Sequence, residues 1–465
     1  MARPTKILTF IMIVLFLGCS LSAMADDGRA LTLEQAVQLA LENNPTILQA
    51  TETVTATQAD VTGAAGDFLP TLSVNVRGYH QYDSGQNSAD QPTQTGDSNQ
   101  LFQRDYEALD ITGTANLTVF DGLSNVASIK GTRLERDAAQ TNKSWTKQSL
   151  AYEAATRFFQ VVKSRELVAL EEKNLEQNQM QLEKIETYFN AGKVPVTDLY
   201  QQKVEMSKAR KQLLEARNAL EINRLLLIQI LGLSESVSIS IFPPGAASDS
   251  FPTQPLANEI SVKEAMVNRD DLRSQNLIEK ARTQDVTKAN SGYWPKVDLF
   301  ASLGSGYSTV DDTTSFSDQI SDDQVVGTVG VNLSIPIFDR LDTHAAATKA
   351  RTQQRIAKLE AIKMKQQVAV DLGQAIEDCK TANEQVEVAK TQVEASELAL
   401  EAMEERYDVG ASSLLELSST RTDYFVANYD RIDAAYSLVE KRLAVAYQKG
   451  TLMDKLNLLY EGESK

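Results

Sequence analysis

Two histidines and two cysteines are the whole supply of imidazole and thiol metal ligands in this 465-residue chain. His80 and His344 stand far apart, as do Cys19 and Cys379. Without ligands at short fixed spacing there is no zinc site or metal-hydrolase centre to build. Gly304-Ser305-Gly306 sits at a strand end, so it is no phosphate-cradling loop, and no nucleophile elbow occurs. The sequence therefore gives an enzyme no machinery, and neither a cofactor nor a metal is expected. What remains is a pair of carboxylates. Asp198 and Glu416 each follow a glycine, Gly192 and Gly410, by six residues. The plainest role for an acid there is to complement the dipole in the first turn of a helix.

Charge narrows the partners. With 63 acidic against 46 basic residues and a net charge of −17, the chain lacks the basic face that nucleic acid requires. Residues 1–25 read as an export signal. Arg3 and Lys6 precede the apolar run Ile7 to Leu17, and Ala23-Met24-Ala25 supplies a cleavage pattern. The run is too short to span a bilayer comfortably. Leu17-Gly18-Cys19-Ser20 also resembles a lipoprotein box, with Phe16 unusual before it. Cleavage after Ala25 is the preferred reading and acylation of Cys19 the alternative; both take the chain out of the cytoplasm.

The elements that position the two acids are written twice. Asn116 to Asp121 recurs as Asn332 to Asp339, and from Phe120 and Phe338 onward the offset stays at 218 residues. Tyr188 to Gly192 falls on Arg406 to Gly410, and Gly232 on Gly450. Upstream, Gly66 to Pro70 is echoed by Ser291 to Pro295, and Thr32 to Ala36 by Ser261 to Ala265. The expected organisation is a signal at 1–25, a first repeat at 26–233, a proline-rich linker at 234–259, a second repeat at 260–452 and a tail at 453–465.

Each repeat reads as a helix, two strands and two long helices. Leu72, Val74 and Val76 alternate with Ser73, Asn75 and Arg77; Leu109 to Val119 alternates likewise. Val297 to Leu303 and Val329 to Ile335 repeat the pattern. About ten residues each is the length of a tilted transmembrane strand. The connections 83–107 and 308–324 are polar, as water-exposed loops should be. Phe68, Phe120, Tyr293, Trp294 and Phe338 cluster at the opposite strand ends, as an interfacial aromatic girdle would. A half-buried sheet in a soluble domain is the competing reading. In lipid, however, four strands must close with copies of themselves.

The helices carry heptads. Val161, Val168, Leu175, Leu182 and Phe189 match Cys379, Val386, Val393, Leu400 and Tyr407 at +218. Leu199, Met206, Leu213, Leu220 and Leu227 match Leu417, Tyr424, Arg431, Leu438 and Val445, with Arg431 the one break. Cys379 is then a packed core residue. From each strand end to the turn glycine is about 70 residues, or roughly 100 Å of helix. The helix after the turn is shorter, and 32–66 and 260–293 are expected to make up the difference.

This duplicated plan, the Leu69-Pro70 strand entry and the turn Tyr407-Asp408-Val409-Gly410 resemble the TolC family of outer-membrane efflux proteins. The resemblance implies a mainly α chain with transmembrane β. A homotrimer would form a 12-stranded outer-membrane barrel, four strands per chain, continued by a periplasmic coiled-coil tunnel. It implies a passive exit duct for a tripartite pump or type I secretion system, with a periplasmic adaptor and an inner-membrane transporter as partners. A trimeric coiled-coil outer-membrane stalk or adhesin is the rival class. The resemblance also implies that the tip turns, Gly192, Lys193, Val194, Pro195 and Val196 with Gly410, Ala411, Ser412 and Leu414, meet the adaptor and are exposed. Glu416 would face a tunnel constriction, and three copies would make one acidic ring that binds cations; Asp198 is the second candidate there, after a contact between neighbouring helices. Ser419 stands where the family has a second acid, and Ser412 where it has a basic latch. Arg406 or Arg421 would have to substitute.

Overall fold

The computed structural model describes residues 31–82, 106–234, 262–309, 315–323 and 325–454. The export signal, Cys19, most of the linker and of the 83–107 loop, and most of the tail lie outside these residues. The first repeat contains α1 (Leu33–Asn43), α2 (Pro45–Gly66), β1 (Thr71–Gln81), β2 (Tyr106–Phe120), α3 (Ser124–Asn190) and α4 (Val196–Ile230). The second contains α5 (Val262–Asn268), α6 (Asp270–Asn290), β3 (Lys296–Ser308), α7 (Phe316–Asp318), β4 (Val326–Ser334), α8 (Asp342–Asp408) and α9 (Leu414–Gln448). The long helices are copied to the residue: α3 and α8 have 67 each, α4 and α9 have 35 each.

The opening helix of each repeat, expected as one, is two. Pro45 disfavours helical geometry at the residue before it, and Asn44 is extended at φ −67°, ψ 129°. Asn44 then accepts from the Thr46 amide at 2.8 Å and donates to the Ile230 carbonyl at 2.8 Å. The second repeat breaks without proline, at Arg269 (φ −78°, ψ 112°). There a buried Arg269–Asp271 pair at 2.6 Å lies with its guanidinium over the Trp145 ring.

The chain divides into two compact units. One holds the sheet, α2, α6 and the first parts of α3 and α8. Its four strands pair antiparallel in the order β1-β2-β3-β4. The register places Val74 opposite Gly113, Leu117 opposite Leu299, and Ala301 opposite Val329, so one face is apolar across all four strands. Ser73 pairs with Thr114, Asn116 with Phe300, and Asp298 with Asn332, so the other face is mainly polar. Phe300 is the large apolar exception, and its ring occupies the space that a side chain at Gly330 would need. Among the described residues, β1 and β4 each leave one edge without a strand partner.

Residues 315–318 of the 308–324 connection are exposed, as expected of a water-facing loop, and Gln319 is the buried position among its described residues. Residues 315–323 fold back on β3, where Gln319 is fully buried and accepts from the Ser308 amide at 2.9 Å. Phe316 meets the Tyr307 ring edge-on.

The strand-to-helix corners follow one recipe twice. Asp121 accepts from the Asn125 amide and Asp339 from the Thr343 amide, both at 2.8 Å. Two left-handed residues then turn the chain, Gly122 and Leu123 in one repeat and Arg340 and Leu341 in the other. A β-carbon at Gly122 would lie 2.6 Å from the Ser291 carbonyl oxygen, so glycine is required there. Within this unit α6 packs between the long helices: Ser274 donates to the Ala138 carbonyl at 2.9 Å, and Gln354 of α8 donates to Thr283 at 3.0 Å.

The other unit holds α1, α4, α9 and the remaining parts of α3 and α8. Here α9 lies between α3 and α8. Tyr152 stacks on Tyr447, Tyr436 donates to Glu166 at 2.6 Å, and Lys441 pairs with Asp378 at 2.9 Å. Cys379 is fully buried against Ala375 and Val445, as its heptad position required. Leu213, Leu227, Leu400 and Leu417 are buried too, and Arg431 is exposed.

The α3 seam departs from the heptad reading. Val168, Leu175, Leu182 and Phe189 are only half-buried. The buried positions are Asn174, Asn178, Gln181 and Ile185, one face further round the helix. Gln202 of α4 donates to both the carbonyl and the side-chain oxygen of Asn178, at 3.1 Å each. This seam is an amide ladder, and amides in a buried stripe do not register as a hydrophobic period.

Candidate functional site

Both tip turns are built by backbone geometry. Gly192 and Gly410 adopt φ of +73° and +76°, the left-handed conformation glycine takes most easily. The Lys193 amide donates to the Tyr188 carbonyl and the Gly192 amide to that of Phe189. Ala411 and Gly410 donate to Arg406 and Tyr407 in the same pattern. This paired capping satisfies the last carbonyls of α3 and α8 and stops both helices sharply.

The two turns share one core. Ile185, Leu199 and Leu414 are buried together, with Leu182, Phe189, Val194 and Tyr407 packed on them. Leu414, expected to be exposed, is 4% exposed, and Val194 is half-buried. Both face inward because the two turns bury their apolar residues against each other. Lys193, Pro195, Val196, Val409 and Ala411 are exposed, and Ser412 is half-buried.

Beneath the turns, each charged candidate has a defined place. Glu416 bonds to its own helix start: its carboxylate accepts from the Ser413 amide at 2.9 Å, while Ser413 accepts from the Glu416 amide. That reciprocal cap, with Arg406 nearby, holds the Glu416 carboxyl below the ordinary carboxylate range, the Ser413 backbone amide contributing most. Asp198 sits in the first turn of α4. It approaches Tyr407, whose hydroxyl is pushed up by burial first and by Asp198 second. That hydroxyl and the Ser412 hydroxyl are both buried without a hydrogen-bond partner among the described residues.

The two candidate arginines differ. Arg421 is 9% exposed and pairs with Glu404 at 2.8 Å, tying α9 to α8. Arg406 is exposed and donates to the Ala411 carbonyl at 3.5 Å. A groove of about 560 Å³ bounded by α3, α4 and α9 opens beside Arg421, with Asn178 and Gln202 on its wall.

At the sheet, Phe68, Phe120, Tyr293, Trp294 and Phe338 are all exposed and lie at one end of the strands. At the other end Tyr79 meets Tyr106 edge-on and His80 meets Tyr82. This second aromatic group was missed in the sequence because the residues fall beside the loops. Their alternation with polar neighbours was the available signal. The chain's described helices include none long and apolar enough to cross a membrane.

The family model described as outer membrane efflux protein matches residues 36–233 and 261–448. The chain belongs to this family. As an outer membrane efflux protein it is a channel component of the outer membrane, and the two matched stretches carry the duplication. It is 22% identical to outer membrane protein TolC of Escherichia coli over 448 residues, covering 95% of this chain and 86% of the relative. It is 23% identical to the pyoverdine export outer membrane protein OpmQ of Pseudomonas putida, covering 89% and 84%. Its fold matches that of CusC with a TM-score of 0.79 at 16% identity, covering 90% of this chain and 92% of that one. The Campylobacter jejuni CmeC outer membrane channel matches with a TM-score of 0.77 at 16% identity, covering 90% and 86%.

Proposed function

We propose that three copies of this chain close one twelve-stranded barrel and one helical tunnel, forming the exit duct of a tripartite efflux pump or type I secretion system. The two open sheet edges carry this reading. The strands present one apolar face and one mainly polar face, with β1 and β4 unpaired outward among the described residues. An unpaired edge has no water to satisfy it in hydrocarbon, and pairing β4 of one copy with β1 of the next satisfies both. The copy number follows the family. The apolar face then meets lipid, the polar face lines the lumen, and the exposed aromatics at the strand ends sit at the membrane interface.

In this reading residues 26–233 and 260–452 are the structural repeats, joined by 234–259 and followed by the 453–465 tail. The tip turns dock a periplasmic adaptor through Lys193, Pro195, Val196, Ala411 and Ser412, and an inner-membrane transporter supplies the energy. The packing of Tyr407 on Leu199 and Leu414 and the clamp of Arg421 on Glu404 hold the hairpins at the tip. A relative's name records pyoverdine export; here the cargo is set by the transporter that the adaptor brings.

The test is a photoreactive residue in place of Lys193 or Ser412 in the intact envelope. Capture of a periplasmic adaptor supports docking at the tip. An assembled, detergent-extracted oligomer with an active crosslinker and no adaptor capture overturns it.

A further inference from the structure

The seam where α9 lies between α3 and α8 holds more carboxylates than cations. α3 contributes Tyr152, Lys163 and Glu166, and α8 contributes Asp378. α9 contributes Asp433, Tyr436, Glu440 and Lys441. Both lysines are already engaged. Lys163 pairs with Asp433, and Lys441 pairs with Asp378 at 2.9 Å. Glu166 accepts from the Tyr436 hydroxyl at 2.6 Å, and Tyr436 is 4% exposed.

Glu440 is the carboxylate left over. It is half-buried, and among the described residues it makes no ion pair. Its hydrogen-bond partner is the neutral side chain of Gln160, whose oxygen accepts from Arg157 at 3.1 Å. The duplication does not account for this carboxyl, because Ile222 stands 218 residues earlier. Glu440 is therefore a feature of the second repeat alone.

We infer that Glu440 is a proton-binding site, at which the α3–α9 seam takes up a proton as its surroundings acidify and is strengthened by doing so. A carboxylate withdrawn from water favours its neutral form unless a cation is held against it. Burial is the largest influence here and pushes the Glu440 carboxyl up. Asp433 adds to that push, while Lys163, Gln160 and Lys441 oppose it. The lysines oppose it incompletely because each is held by a carboxylate of its own. Tyr152 and Tyr436 are both pushed above the ordinary tyrosine value, by burial first, and so stay neutral.

The sign follows from linkage. A carboxyl raised in the folded chain destabilises it above the raised value, where the group must carry its charge. That cost fades as pH falls through the raised value and is gone below the ordinary glutamate value. Glu416 behaves in the opposite way, since its carboxyl is lowered and loses its contribution in acid.

The test is thermal unfolding of the full chain in detergent micelles, followed by helical circular dichroism across about pH 5 to about pH 8. Glu440→Gln serves as a permanently neutral carboxyl. At the upper end it should raise the midpoint, and the gap from the unsubstituted chain should close as pH falls. A gap that is absent, independent of pH, or reversed, up to failure to fold, overturns the inference. A second variant separates an unpaired charge from simple packing. Asp433→Asn releases Lys163 for Glu440, so in that background Glu440→Gln should lower the midpoint at the upper end. If it still raises the midpoint there, Glu440 is not the carboxylate left without a cation, and the inference fails.

Discussion

Glu416 and Asp198 occupy equivalent positions, yet their surroundings differ. Glu416 closes a reciprocal cap with Ser413, whereas α4 begins at Pro195, which offers no side-chain cap. The cap changes how a pore role for Glu416 is tested. Alanine would remove both charge and cap, but glutamine keeps the capping geometry and removes only the charge. Glu416→Gln is expected to weaken block of channel current by multivalent cations in bilayer recordings, with assembly unchanged. Unaltered block would take Glu416 out of the constriction. Because its carboxyl is held below the ordinary carboxylate range, the capping contribution is present above the unfolded-state value and is lost as pH falls through the lowered one. Block should therefore persist to more acidic pH than an ordinary glutamate would allow.

The two helical hairpins share lengths and turns and differ in what fills them. Asn174, Asn178 and Gln202 occupy the α3–α4 seam. Their counterparts at +218 are Gln392, Ser396 and Thr420, of which Gln392 is exposed and Ser396 half-buried. A buried amide is costly once its partner is lost, and far less so when both are replaced by apolar groups of similar shape. Asn178→Ala should destabilise this unit by about 1–3 kcal/mol, read as a lower thermal midpoint. Asn178→Leu combined with Gln202→Leu should recover most of that loss. An equally unstable double variant would show that the ladder contributes more than satisfied hydrogen bonds. At this scale the sequence was half legible. Helix lengths, turn glycines and the Cys379 seam followed from periodicity, but the breaks at Asn44 and Arg269 and the amide ladder did not. Side chains bonding across helices leave no hydrophobic period to read.

Across the whole molecule, the sheet decides the environment. Val329 is 85% exposed on the apolar face, and its neighbour Thr328 lies on the polar one, opposite Ser302. If the apolar face meets lipid, Val329→Arg should cost roughly 2–4 kcal/mol near mid-membrane and abolish the heat-modifiable oligomer, while Thr328→Arg should leave it assembled. Equal effects at both positions would refute the assignment of faces.

Periodicity and duplication are properties of one chain read in order, so the sequence alone determined the two repeats, the period-two strands, the long helices and the absence of cofactor-binding patterns. Tertiary structure alone decided which candidates are available for contact. Leu414 looked exposed at a turn but is buried because the second turn packs on the first. Arg421, named from the sequence as a substitute for the basic latch, is committed to Glu404 across the hairpin. Such contacts join residues distant in sequence, and their energy depends on distance and solvent exclusion, which linear spacing does not encode.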